Sequence, residues 1–369
     1  MTYETGRDLP FPLDPLTASV TPGTWELLRR MPKAELHLHL DGSVRPETAL
    51  ELARERGIDG DLDLAGMRDL LVAPAQCVDQ AELLRAFDLP IRLLQHPDAL
   101  YRVTAELVED IAAEGTVYAE IRWAPALHVN QELGFEDGIA AVVAGARAGM
   151  ADHPEVLIRL IAVALRSHTP ETSVVVAQAA ARFLDHGLAG FDLAGGEEAF
   201  PDPLDHAEAF AIARQAGLGI TVHAGEWGGA DQVRRALAVH PQRIAHGTPA
   251  GDDPALQRKL IEHGVTLDLC PTSNVQAGIV PRLADHPLRR LLRYGVPVTL
   301  STDDRTVSDL TLVREYARAN GTLGLSVREL WQVNRHALEV AFLHRDEGER
   351  ERLRTLFDKF ADAEPALAR

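Results

Sequence analysis

The chain has 369 residues, 46% of them hydrophobic and 25% charged, with a formal net charge of −18. That is enough apolar sequence for one large α/β domain or two average ones. The acidic balance repels phosphate backbones, which argues against nucleic acid as a partner and favours a small neutral or cationic substrate.

Residues 1–20 hold Glu4, Asp8 and three prolines but no apolar stretch of signal or anchor type. No membrane association is expected, and a cytoplasmic location is. Apolar, β-branched runs bounded by turn residues predict strands at 34–40, 116–123, 156–165, 188–193, 219–223, 243–246, 266–270 and 296–301. Stretches of helical period fall between most of them, as at 173–186, 204–216 and 231–239. Such repeated alternation predicts a parallel sheet closed into a TIM (β/α)8 barrel. The competing open, doubly wound sheet is weakened because no Gly-rich phosphate loop opens a helix after any strand.

The gap 41–115 is far longer than one crossover needs and reads as a helical insertion, with helices at 48–56, 80–94 and 99–114. Leu83, Leu84, Phe87, Ile91 and Leu94 give it an apolar face, serving equally as a lid over the barrel mouth or as ordinary packing. Residues 1–30 are expected to be an N-terminal extension packing on the barrel, and 31–369 a single metal-dependent barrel domain. Cys77 and Cys270 are too few for a disulfide framework, and Cys270 reads as a buried reduced thiol.

Four segments carry metal-type or acid–base residues at the ends of predicted strands. In Glu35-Leu36-His37-Leu38-His39-Leu40 the two histidines share one face and the leucines the other. His223-Ala224-Gly225-Glu226 ends the fifth strand, and its small residues let the backbone turn Glu226 toward a site. Arg243-Ile244-Ala245-His246-Gly247 repeats the His-Gly ending, and Asp303-Asp304 follows the eighth strand. Taken singly, each segment also fits a core histidine, a helix cap or a solvated acid. A barrel brings all four to one catalytic face, where they stand or fall together. Three histidines and a carboxylate suit one Zn²⁺ with an open position for water.

These residues resemble the adenosine deaminase family. The matching segments are Pro32 to Ser43, Phe191-Asp192-Leu193-Ala194-Gly195, His223 to Glu226, Arg243 to Gly247, Cys270-Pro271-Thr272-Ser273-Asn274 and Ser301 to Asp304. The resemblance implies one zinc per chain on His37, His39, His223 and Asp303. Glu226 would donate a proton to a purine ring, and His246 would lie beside the attacking hydroxide. Gly195 would offer its backbone N–H to the ring, Asp304 would bind the imidazole side, and Asp41 with His39 would lie near the ribose. The implied reaction is hydrolytic deamination of adenosine and 2′-deoxyadenosine to inosine and ammonia in purine salvage, with the nucleoside and water as the only partners. The physical logic is self-consistent, because zinc lowers the pKa of bound water toward ~7 and a protonated carboxyl then assists addition to the ring. The tautomer of His246 is not legible in the sequence, nor is the oligomeric state.

Two departures from the family pattern fall where substrate-side loops are expected. Arg305-Thr306-Val307 follows the Asp pair where relatives have Pro and an aromatic residue, and Gly196 precedes Glu197-Glu198 where relatives have an acid. A free-adenine substrate is thereby disfavoured. A larger nucleoside, such as an aminodeoxyfutalosine of menaquinone synthesis, is the alternative, with Arg305 either meeting its carboxylate or simply solvated. A binuclear amidohydrolase needs a bridging carboxylated lysine at a strand end, but Lys33 precedes the first predicted strand, and Lys259 and Lys359 fall in helical stretches. The His-x-Glu, Pro-Cys-x-x-Cys signature of cytidine deaminases is absent. A non-catalytic binding protein would not need the full set of ligands and acid.

Overall fold

The computed structural model describes residues 15–58, 61–343 and 345–367. Eight strands lie in chain order in one parallel sheet: β1 Lys33–His39, β2 Thr116–Trp123, β3 Leu157–Leu165, β4 Leu188–Ala194, β5 Gly219–Ala224, β6 Arg243–His246, β7 Thr266–Leu269 and β8 Val298–Leu300. Helices alternate with them, and the predicted barrel is what forms. The last two strands are short, and the seam is completed by a single residue beyond β8. The Asp303 amide donates to the His37 carbonyl at 3.0 Å, and its carbonyl accepts from the His39 amide at 2.7 Å.

Period two sets the faces of β1. Ala34, Leu36 and Leu38 are fully buried within the main apolar core, while the alternate positions carry Glu35, His37 and His39. Barrels of this class are usually filled by branched apolar side chains. Here the buried positions include an ionic ladder instead. Arg243 pairs with Asp268 at 3.0 Å and with Glu120, and Arg122 pairs with Asp192 at 2.9 Å. Thr299 and Tyr118 add hydroxyl hydrogen bonds of 2.8 Å to Asp268 and Glu120.

The insertion between β1 and β2 contains four helices, Pro46–Arg56, Leu64–Leu71, Gln80–Leu93 and Pro97–Ala113. The second was not anticipated, and the first and last start earlier because each accepts a proline in its first turn. Asp79 caps Gln80–Leu93 by accepting the Glu82 amide at 2.9 Å. Leu83 and Ala86 of this helix join Ala73, Cys77, Ala277 and Val307 in a small apolar cluster, with Phe87 and Trp227 packed against it. That cluster ties the insertion to the loops after β5, β7 and β8. Leu84, grouped with the apolar face in the sequence, is 45% exposed. Backbone hydrogen bonds from Cys77 to Gln276 at 2.8 Å and from Ala73 to Val307 at 3.0 Å fasten the same junction.

Of the expected N-terminal extension, residues 1–14 lie outside the described residues, while helix Pro22–Arg30 buries Trp25, Leu27 and Leu28. Among the described residues no helix is long and apolar enough to cross a membrane. Cys77 and Cys270 are both buried and free.

Candidate active site

The C-terminal ends of β1 and β5 and the turn after β8 deliver four ligand-type side chains to one point. His39 Nε2 lies 3.2 Å from both His37 Nε2 and His223 Nε2. Asp303 Oδ1 is 2.9 Å from His37 Nε2 and 3.3 Å from His39 Nε2. One ligand atom from each of these residues falls within 4.8 Å of all the others.

Burial pushes the His37 imidazole well below its ordinary pKa and His39 down to about 3, so both rings are neutral. His223 Nδ1 sits 2.9 Å from Asp192 Oδ2, and its Nε2 faces the cluster, 3.2 Å from His39 Nε2. Lone pairs and a carboxylate thus converge with too few protons among them. A cation resolves that repulsion, so the residues present fit a metal. Nitrogen-rich ligation favours zinc. Cys270 also comes close, in a group with His246 and Asp303. Its thiol is pushed well above the ordinary range, first by burial, which disfavours a thiolate ligand.

Backbone geometry at this rim is unusual. Asp303 and His246 are non-glycine residues with φ of +68° and +65°. In Asp303 this conformation lets the backbone bond to both histidines of β1 while the carboxylate turns to the same metal point. Ser273 Oγ fixes the second carboxylate oxygen by donating to Oδ2 at 2.7 Å.

Glu226 and His246 face the cluster from β5 and β6. His246 Nε2 is 3.8 Å from both Glu226 Oε1 and Asp303 Oδ2. The Glu226 carboxyl is raised well above its ordinary pKa by burial and then by the negative charges of Asp303, Glu197 and Asp304. Both influences favour its acid form.

Asp304 is raised in the same way, first by burial and then by Asp303 and Asp41, and burial lifts Asp41 to about 6. Asp41 Oδ1 and Asp304 Oδ1 are buried without a hydrogen-bond partner. Such orphaned oxygens suit a ligand that supplies the missing partners. Gly42 leaves the room that the Asp304 side chain occupies, because a Cβ there would lie 1.8 Å from Asp304 Oδ1. Gly195 follows β4 with φ +103°, turning the chain where the resemblance places a ring-binding amide.

The two departures prove to be structural. Arg305 is neither solvated nor turned to a ligand. It is 4% exposed, 2.8 Å from Glu35 and paired with Glu114. Glu197 is 1% exposed and grips the protein's own β5 loop rather than facing a substrate. Its carboxylate accepts the amides of Gly225 at 3.0 Å, Glu226 at 3.2 Å and Gly228 at 2.9 Å. Lys33 points away from the rim, donating to the carbonyls of Leu28 at 2.9 Å and Met31 at 2.6 Å, so it offers no bridge for a second metal.

Sequence reasoning assigned no role to Asp192, Glu197 or Ser273. The first and last stood inside matched segments, which was the available signal, whereas Glu197 was read only as a departure.

Comparison with known proteins gives the same picture. The adenosine deaminase family profile matches residues 32–360. An adenosine deaminase of Enterococcus faecalis is 36% identical over 320 residues, covering 87% of this chain and 94% of that protein. The crystal structure of an Arabidopsis N6-mAMP deaminase superposes with a TM-score of 0.80 at 30% identity, covering 90% of this chain and 99% of the other. An amidohydrolase from Burkholderia ambifaria, solved with bound Zn, gives a TM-score of 0.82 at 25% identity, over 93% and 95% of the two chains. The chain belongs to the adenosine deaminase family and is a hydrolytic deaminase.

Proposed function

We propose that this protein deaminates adenosine and 2′-deoxyadenosine to inosine and ammonia, using one zinc ion per chain. The observation that carries the reading is a buried Glu226, its carboxyl raised toward the acid form, set beside a four-residue cluster that fits a cation. Zinc bound by His37, His39, His223 and Asp303 supplies the Lewis acidity that makes water a nucleophile at neutral pH.

The remaining steps belong to the chain's own side chains. The acidic proton of Glu226 passes to a ring nitrogen as oxygen adds to the carbon bearing the amino group, so charge never accumulates on the aromatic system. Asp304, held in its neutral form, donates to the imidazole side of the purine, and the Gly195 amide meets the ring. Asp41 and His39 face the sugar. Glu226 regains its proton from the attacking water, the added hydroxyl gives its own proton to the amino nitrogen, and ammonia leaves as the tetrahedral carbon collapses to the carbonyl.

The unpartnered Asp41 oxygen suits a hydroxyl donor of a nucleoside sugar, and the partnerless Asp304 carboxyl suits a ring nitrogen. The tethering of Arg305 takes away the cation invoked for an aminodeoxyfutalosine carboxylate. Residues 31–369 are proposed to act as one catalytic domain with 1–30 as an extension on it, in the cytoplasm and in purine salvage. The test is ultraviolet turnover across adenosine, 2′-deoxyadenosine, AMP, N6-methyl-AMP and aminodeoxyfutalosine, with zinc quantified on the same sample. Preference for either nucleotide, or two metals per chain, would overturn this assignment.

A further inference from the structure

Hydrogen-bond polarity can be traced from a backbone amide inward to the reactive face of His246. His286, in the connection between β7 and β8, is 4% exposed, and its Nδ1 accepts the Leu288 amide at 3.2 Å. A backbone N–H can only donate, so Nδ1 carries a lone pair. Burial pushes this ring's pKa down to about 3, and its single proton therefore sits on Nε2.

That Nε2 is 3.0 Å from Asn274 Oδ1, and the Thr248 hydroxyl donates to the same oxygen at 2.7 Å. Amide oxygen and nitrogen are exchangeable by a simple flip, and only the network decides between them. Here the network decides. A flipped Asn274, itself fully buried, would set its NH2 against the N–H of His286, a donor facing a donor. The amide nitrogen is accordingly directed at His246 Nδ1, 3.0 Å away. An amide NH2 has no lone pair to offer, so Nδ1 of His246 must be the acceptor. An imidazole whose Nδ1 accepts a hydrogen bond is neutral and holds its one proton on the other nitrogen. The His246 proton lies on Nε2, the atom that faces Glu226 and Asp303.

We propose that Asn274 and His286 are positioning residues that lock His246 as the Nε2–H tautomer, so that it meets the attacking oxygen as a hydrogen-bond donor and not as its base. This rests on the deaminase reading of the site for its catalytic meaning, but not for its geometry. A donor placed there stabilises charge on the adding oxygen without reorganising during the reaction. The lock originates at a backbone amide, which cannot change its polarity.

The test is nitrogen NMR of zinc-loaded protein labelled with [15N]histidine, using His246→Gln and His286→Gln to assign the two rings. Both rings are expected to show a protonated Nε2 and an unprotonated Nδ1 at neutral pH. A wild-type His246 bearing its proton on Nδ1, or populating both tautomers, overturns the proposal. Asn274→Asp offers Nδ1 only acceptors and should move a proton onto it, lowering kcat about 10–100-fold with KM little changed, as for other supporting-shell losses. His286→Gln can still donate to Asn274 and should keep the wild-type tautomer and most of the turnover, whereas His286→Leu should keep neither. An unchanged tautomer in Asn274→Asp sinks the relay even if activity falls. Because the spectra need no substrate, the two readings fail separately. Correct tautomers without deamination of any 6-aminopurine would sink the functional reading alone, and deamination with Nδ1–H would sink the relay alone.

Discussion

Two groups of buried charged side chains share this barrel, and their partners are arranged in opposite ways. Within the strands, Arg243 is matched by Asp268 and Glu120, and Arg122 by Asp192. At the rim, three imidazoles and Asp303 crowd one point, Glu226 and Asp304 are driven toward their neutral forms, and Asp41 and Asp304 each keep an unpartnered oxygen. Burial costs both groups their hydration. The first recovers that cost internally and gains a fixed geometry. The second leaves it unrecovered until a cation and a substrate arrive, which is how a site stores binding capacity. Asp192 joins the two, taking Arg122 at 2.9 Å on one side and His223 at 2.9 Å on the other.

Substitutions on each side of that divide should behave differently. At the rim, Glu226→Gln should retain zinc and the thermal midpoint yet lose about 10²–10⁴-fold in turnover. Near-normal turnover would refute its role as the acid. In the ladder, Arg243→Leu strands Glu120 without its arginine and leaves Asp268 only Arg122 at 3.9 Å, and should cost about 3–5 kcal/mol of stability. Chemical unfolding measures this, and the folded fraction should keep normal zinc content; a small loss would show that the ladder is not what holds the barrel.

Asp303→Ala removes a proposed ligand and the one carboxylate of the four-residue cluster. Its zinc should be lost on dialysis against a chelator that wild type withstands, a result read by elemental analysis.

The smallest expected effect comes from Glu197→Gln, about a 10–100-fold loss in kcat through the displaced β5 loop. It also carries a pH signature. With Glu226 as the proposed acid, activity should be present below its raised pKa and lost as pH rises through it. Removing the Glu197 charge relieves one of the repulsions that raise that pKa, so the basic limb should move to lower pH. Glu197→Asp, which keeps the charge, should leave the limb in place. A limb unmoved in Glu197→Gln would reduce Glu197 to a purely mechanical clamp.

The strands were legible because each is a short apolar run with clear punctuation, and their observed ends fall within two residues of the expected ones. His37 and His39 were legible because a strand's period of two leaves them no other face. Helix Leu64–Leu71 was not, since eight residues carry too few turns to show a period. Arg305 was misplaced for a different reason. Sequence position put it beside a ligand residue, but direction is set by Glu35 and Glu114, which belong to β1 and to the end of the insertion. His286 gave no signal at all, being a lone histidine in a loop whose partner, Asn274, is fixed only by folding.

What the sequence determined by itself was the alternation of strand and helix, the chemistry at the strand ends and thereby the family, all of which depend on neighbours along the chain. What tertiary structure alone decided was polarity and partnership: which acids stay protonated, which way an amide faces, and which arginine is spent on a structural pair. Those depend on burial and on contacts between segments hundreds of residues apart, as when the Asp303 backbone closes the barrel against His37 and His39.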